Sequence, residues 1–192
     1  GLLLFQKDFY GPKYAHILAD TVICRHVIEH VPNPLILLED IKSALVRSSK
    51  AKVFFETPCV EWILKNNVIW DFFYEHCSYF SENSLRTAFE SSGYEVEKIE
   101  HIFGGQYLWL EGNLATGEKS ITKKEGNIPL LSRQFEKNYL TLKKKYSAYV
   151  QELQHKGNVA LWGAGAKGVT LANLIDPLCK NITAVIDINP QK

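Results

Sequence analysis

The ten residues from Val159 to Gly168, VALWGAGAKG, constrain the fold of this chain more than any other stretch. A short apolar run over residues 158–162 ends on the pattern GxGxxG and enters a helical pattern that continues through Ile175. A second β-branched run, residues 182–187, follows it. Two such strands joined through a helix run parallel, and open α/β sheets hold their ligands beyond the carboxyl ends of parallel strands. Glycines in the first turn let the backbone approach an anion at the helix N-terminus, where free N–H groups carry partial positive charge. Asp187 then stands about where a dinucleotide site places its ribose-binding acid. Lys167, inside the turn, points to a fixed phosphate or other anion. The alternative is a tight turn without a ligand.

The same alternation appears earlier. Residues 19–24 form a β-branched run, and Asn33-Pro34 opens a helix with Leu35, Leu38, Ile41 and Leu45 on one face. Residues 52–57 predict the next strand, closed by Pro58. A helix start is expected at residues 81–84, with Leu85, Ala88 and Phe89 inward and a stop at Gly93. Residues 94–99 alternate like a half-buried strand, and residues 106–111 pair with them across Gly104-Gly105. This predicts the second half of an α/β sheet with an antiparallel edge over residues 1–112. Residues 112–129, rich in Gly, Lys, Glu and Thr, predict a linker, and residues 130–156 a long helix with Phe135, Leu142, Tyr146 and Val150 apolar. Linker and helix together make up residues 113–156, and the second α/β unit occupies residues 157–192.

Charge narrows the partners. Lys plus Arg (22) almost cancels Asp plus Glu (21), so no global field draws the chain to nucleic acid or a membrane. No apolar run reaches the length of a membrane span, about 18 residues. Cys24, Cys59, Cys77 and Cys179 are far apart without a CxxC pair, which predicts reduced thiols in a cytoplasmic protein and no metal site. The chain opens in apolar text, has no methionine, and stops just after an apparent strand, so a fragment of a longer product is expected.

Two stretches carry candidate chemistry. Cys24-Arg25-His26-Val27-Ile28-Glu29-His30-Val31-Pro32-Asn33-Pro34 sits at the carboxyl end of a predicted parallel strand. By itself it suits a core of Val27, Ile28 and Val31 with polar residues capping the next helix. The other stretch, DFFYEHCSYFS from Asp71 to Ser81, sets an acid and an imidazole beside each other among five aromatic rings. His76 is its natural general base, since an unperturbed imidazole titrates near neutrality. Glu75 orients the ring or stabilises the imidazolium, unless the backbone is extended and turns it away. Tyr74 and Tyr79 are hydrogen-bond donors for a substrate or a developing enolate oxygen. An aromatic core patch with a satisfied histidine fits the stretch equally well.

Taken in order, CRHVIEHVPNP, YEHCSYFS, Phe103-Gly104-Gly105 and VALWGAGAKG resemble the C-methyltransferases that act on nucleotide-linked deoxysugars. The resemblance spans nearly the whole chain. It implies a class I methyltransferase domain using S-adenosylmethionine (SAM), here its carboxy-terminal half, followed by the start of a Rossmann-like substrate domain. In such enzymes the catalytic run reads Tyr-His-Glu-His, where this chain has Phe73-Tyr74-Glu75-His76, so one pocket hydroxyl is missing. The family's zinc-binding region and glycine-rich SAM loop would precede Gly1, so this stretch is expected to bind SAM poorly and to be inactive alone. The resemblance further implies that His76 removes a proton beside a sugar ketone. It places Arg25, His26 and Val27 by the cofactor, and Gly163, Gly165, Lys167 and Gly168 near the sugar nucleotide's diphosphate. Glu29 and His30 cap and tie the following helix. Three alternatives stand: an NAD-dependent oxidoreductase or epimerase using the GAGAKG turn and Asp187, an O- or N-methyltransferase, and a binding protein that no longer catalyses.

Overall fold

The computed structural model describes residues 4–14, 16–117 and 126–189. Most of the linker predicted before the long helix, residues 118–125, lies outside them. In chain order the elements are β1 (Thr21–Arg25), α1 (Pro34–Leu45), β2 (Lys52–Pro58), α2 (Val60–Lys65), α3 (Glu82–Ser91), β3 (Tyr94–Ile102), β4 (Tyr107–Leu114), α4 (Ile128–Lys156), β5 (Val159–Trp162), α5 (Ala166–Ile175) and β6 (Ile182–Ile186). They divide into two compact units, Gly1–Cys59 with Cys77–Glu125 and Val60–His76 with Gly126–Lys192. The architecture is Rossmann-like α/β. None of the helices among the described residues is long and apolar enough to cross a membrane.

The first unit is built on a four-stranded sheet ordered β1-β2-β4-β3. β1 and β2 are parallel, while β4 runs antiparallel to both β2 and β3. The antiparallel β3–β4 pair forms one end of the sheet, as the sequence suggested, with β4 as its inner member. The side chains explain why β4 takes the inner place. Leu108 and Leu110 of β4 are fully buried beside a strand whose Val53 and Phe55 are equally enclosed. β3 carries Glu95, Glu97, Lys98 and Glu100, and charges of this kind protect an edge from further pairing.

Helix α1 starts as its sequence demands: Asn33 Oδ1 accepts from the Ile36 N–H, and Pro34 fills the first turn, where no N–H is needed. Its inner face is Leu37, Leu38, Ile41, Ala44 and Leu45, whereas Leu35 is 42% exposed, so the predicted face was rotated at its first residue. Ser81 and Ser84 form a reciprocal cap on α3, which buries Leu85 and Phe89. Phe89 packs edge-on against Phe55 and Tyr94, at ring-centroid distances of 4.8 and 5.4 Å. The Tyr94 hydroxyl donates to the Leu38 carbonyl at 2.7 Å, which satisfies the one polar atom of a buried ring.

The second unit rests on α4, 29 residues long. Leu131, Phe135, Leu142, Tyr146 and Val150 recur at four- and seven-residue spacing and make one inward stripe. Phe72 meets Phe135 and Trp70 meets Tyr146 edge-on, at 5.3 and 6.0 Å. Part of the aromatic run thus serves to seat this segment on α4. Ser147 Oγ donates to the Ile175 carbonyl at 2.7 Å and ties α4 to α5. β5 and β6 are parallel, as the turn and crossover helix required. Asp176, buried behind α5, accepts from the N–H groups of Ile182, Asn181 and Lys180 at 2.7, 2.8 and 3.0 Å and so fixes the entry to β6.

Candidate functional site

At the carboxyl ends of β1 and β2, in the first unit, four ionisable side chains converge. Glu56 lies on β2 and is only 3% exposed. Arg25, its register partner on β1, grips it with two bonds, Nε to Oε2 at 2.9 Å and Nη2 to Oε1 at 3.2 Å. His26 Nε2 approaches Glu56 Oε1 at 2.7 Å, and the His26 N–H donates to the Glu56 carbonyl at 2.9 Å. On the other side, His26 Nδ1 stands 3.5 Å from Oε1 of Glu29, which is 1% exposed. Thr57 Oγ1 donates to the remaining Glu29 oxygen at 3.0 Å. Tyr107 meets the imidazole edge-on at 4.8 Å.

The backbone of His26 is left-handed, with φ at 52°. A side-chain-bearing residue held there is under strain that its surroundings must offset, a situation concentrated at functional sites. Burial raises the Glu56 carboxyl, but the hydrogen bonds from Arg25 and His26 outweigh it and hold the group below its ordinary value. Burial, with the nearby Glu29 charge, pushes the Cys24 thiol up to about 12, which removes it from consideration as a nucleophile. Glu29 does not cap α1, whose cap is Asn33: one of its oxygens accepts from Thr57 and the other faces His26 Nδ1 at ion-pair distance.

Of the three residues predicted to flank a cofactor, His26 is partly exposed and Val27 is exposed. Arg25 is engaged with Glu56. Glu56 was not singled out from sequence, though a signal existed: it is the one acid in the otherwise apolar run VFFETP.

The stretch from Asp71 to Ser81 divides between the two units. In the second, a 3-10 turn over Ile69–Asp71 leads into an irregular segment rather than a strand. Phe73 and His76 face each other with ring centroids 4.1 Å apart, and the His76 N–H donates to the Phe73 carbonyl at 3.2 Å. Glu75 and His76 are both half-buried, while Tyr74 is 92% exposed. In the first unit, Cys77 Sγ donates to the His30 carbonyl at 3.3 Å and the Ser78 N–H to the Glu29 carbonyl at 3.0 Å. Tyr79 is half-buried there.

The GAGAKG turn keeps its predicted strand-to-helix setting. Gly163 has φ at 108°, where a side chain is strained, and its N–H donates to the Ile186 carbonyl at 2.7 Å. A Cβ on Gly168 would meet the Gly163 carbonyl oxygen at 2.0 Å, so only glycine lets α5 pack so near the turn. Gly165 caps the helix from extended backbone. Lys167 lies 2.7 Å from Oδ1 of the buried Asp71. The Asp187 carboxylate accepts from the Ala164 N–H at 2.7 Å and from the Asn189 N–H at 2.9 Å. Lysine and acid are thus both used inside the unit to hold the turn.

Residues 5–99, which include the four-residue cluster and the whole aromatic stretch, match the family model described as a methyltransferase domain. A parallel pair whose carboxyl ends gather charged residues agrees with that class. Among curated proteins, the chain is similar to the C-methyltransferase NovU of Streptomyces niveus, 38% identical over 95 residues. That alignment covers 48% of this chain and 22% of NovU, so the chain matches less than a quarter of that relative's length.

Proposed function

We propose that this chain forms part of a SAM-dependent methyltransferase that methylates carbon on a nucleotide-linked keto-deoxysugar. The observation that carries the proposal is the methyltransferase-domain match over residues 5–99, supported by the identity to a C-methyltransferase. A methyltransferase domain implies SAM, which supplies an electrophilic methyl group on a sulfonium. His26 and Val27 fit a neighbour of this kind: one polar ring held firmly and one exposed apolar side chain, at the carboxyl ends of parallel strands.

In this account His76 takes the proton from the carbon beside the sugar carbonyl, and Glu75 fixes its orientation and balances the imidazolium. Tyr74 and Tyr79 supply the candidate hydroxyl donors for the enolate oxygen; Tyr79 is half-buried within the first unit and Tyr74 stands in solvent. The aromatic residues around His76 lower the local dielectric, so a charge formed there is felt strongly by the few polar groups present. Gly163, Gly165 and Gly168 shape a turn whose helix N-terminus faces the substrate's diphosphate, with Lys167 as a nearby cation held by Asp71.

Deuterium exchange tests the carbon-acid chemistry. Incubated in D2O with a TDP-4-keto-deoxysugar and no methyl donor, the full-length gene product is expected to place deuterium at the carbon next to the carbonyl. Methylation without any such exchange would point to an oxygen or nitrogen acceptor.

A further inference from the structure

We propose that Glu56 and Glu29 are positioning residues that clamp the His26 imidazole from its two nitrogens, and that the clamped ring is the group presented to the methyl donor. The second half rests on the methyltransferase reading; the clamp itself does not. Each carboxylate is almost fully buried and each is fixed by a partner of its own, Glu56 by the bidentate Arg25 and Glu29 by Thr57. Glu56 Oε1, which also takes Arg25 Nη2, lies 2.7 Å from Nε2, and Glu29 Oε1 lies 3.5 Å from Nδ1, with the edge of Tyr107 closing a third direction. The backbone bond from His26 to Glu56 holds the left-handed turn from which the ring projects.

Fold stability alone does not call for this arrangement. Burying two carboxylates costs desolvation energy, and a surface-facing histidine needs neither. Apolar side chains would close the ends of two parallel strands more cheaply. What the carboxylates provide is one fixed ring orientation, the requirement for a side chain that must meet a ligand at a set angle. Arg25 then acts as the counter-ion of Glu56 and contacts no ligand itself.

The test uses the 15N-labelled full-length gene product, with long-range 1H–15N spectra of the histidine rings and calorimetric binding of S-adenosylhomocysteine. The His26 signals are identified by their loss in His26→Gln. In the wild type the His26 ring is expected to carry a slowly exchanging Nε2 proton, which exchanges rapidly in Glu56→Leu. Both variants are expected to weaken S-adenosylhomocysteine by about tenfold or more, and the double variant to be no weaker than the worse single one, the signature of residues acting as one unit. Thr57→Val, which frees Glu29 while conserving shape, tests the Nδ1 side by binding alone should Glu56→Leu not fold; a several-fold loss of S-adenosylhomocysteine affinity is expected. Multiplying losses, a slow Nε2 proton that survives in Glu56→Leu, or unchanged binding in Thr57→Val would overturn the clamp. If the wild type binds no S-adenosylhomocysteine but shows the slow proton, the methyltransferase reading fails and the clamp stands.

Discussion

Replacing His76 by alanine in the full-length gene product is expected to slow methyl transfer by about 10²–10⁴-fold, the range for loss of a general base. SAM affinity should stay within about twofold of wild type, because a group serving as the base acts only in the chemical step. The ring is half-buried and lies tilted against Phe73, so its removal leaves a small gap beside an aromatic neighbour, and His76→Gln is the volume-conserving control. Both variants should also lose deuterium exchange into the keto sugar. Single-turnover rates, SAM titration and exchange on the same samples check the set. Wild-type turnover in either variant would remove His76 from the proton transfer.

The second large effect concerns stability. Asp176→Ala is expected to destabilise the second unit by about 3–5 kcal/mol, since hydrogen bonds to a charged group contribute about 1.5–3 kcal/mol each and buried donors left without partners add their own cost. Asp176 receives three backbone N–H groups and the Asn181 side-chain amide. Its carboxyl is lowered chiefly by the Ile182 N–H, with burial opposing and the Asn181 and Lys180 N–H groups adding to the lowering. A depressed folded-state pKa means that the native state resists protonation. The stabilisation is present above the unfolded value, about 3.9, and is lost as pH falls through the lower folded value. Urea unfolding of wild type and Asp176→Ala should therefore differ most near neutrality and converge in strong acid. Glu56, also lowered, contributes to acid sensitivity in the same direction in the first unit.

How far the sequence revealed the fold depended on how local each signal was. Asn33-Pro34 and Ser81 announced their helices because a cap acts over one turn, and both cap as expected. The GxGxxG turn likewise announced a parallel pair, because a crossover helix leaves few other arrangements. The order of strands was less legible. Residues 106–111 were correctly paired with β3, but their insertion beside β2 depends on long-range burial of Leu108 and Leu110, which a hairpin signal does not carry. The segment Val60–His76 reads as part of the first α/β region because it follows β2, yet Trp70 and Phe72 pack on Tyr146 and Phe135 of α4, far onward in the chain.

Within the candidate site, residue types were easier to read than pairings. Arg25 and His26 stood out by position at a strand end, while Glu56, which organises them, lay inside an apolar run where charge was the only clue. Lys167 was conspicuous as a cation in a glycine turn, and its partner Asp71 is distant in sequence. Tyr74 was noticed for its hydroxyl, but neither composition nor spacing reveals that the ring stands in solvent.

The proposal that this chain forms part of a SAM-dependent methyltransferase is tested most directly by calorimetric titration of the full-length gene product with SAM. Saturable binding at one site per chain, weakened by His26→Gln, is the predicted result. A flat titration with correctly folded protein, followed by binding of NADH, would contradict it and move the GAGAKG turn and Asp187 to the centre of a different chemistry.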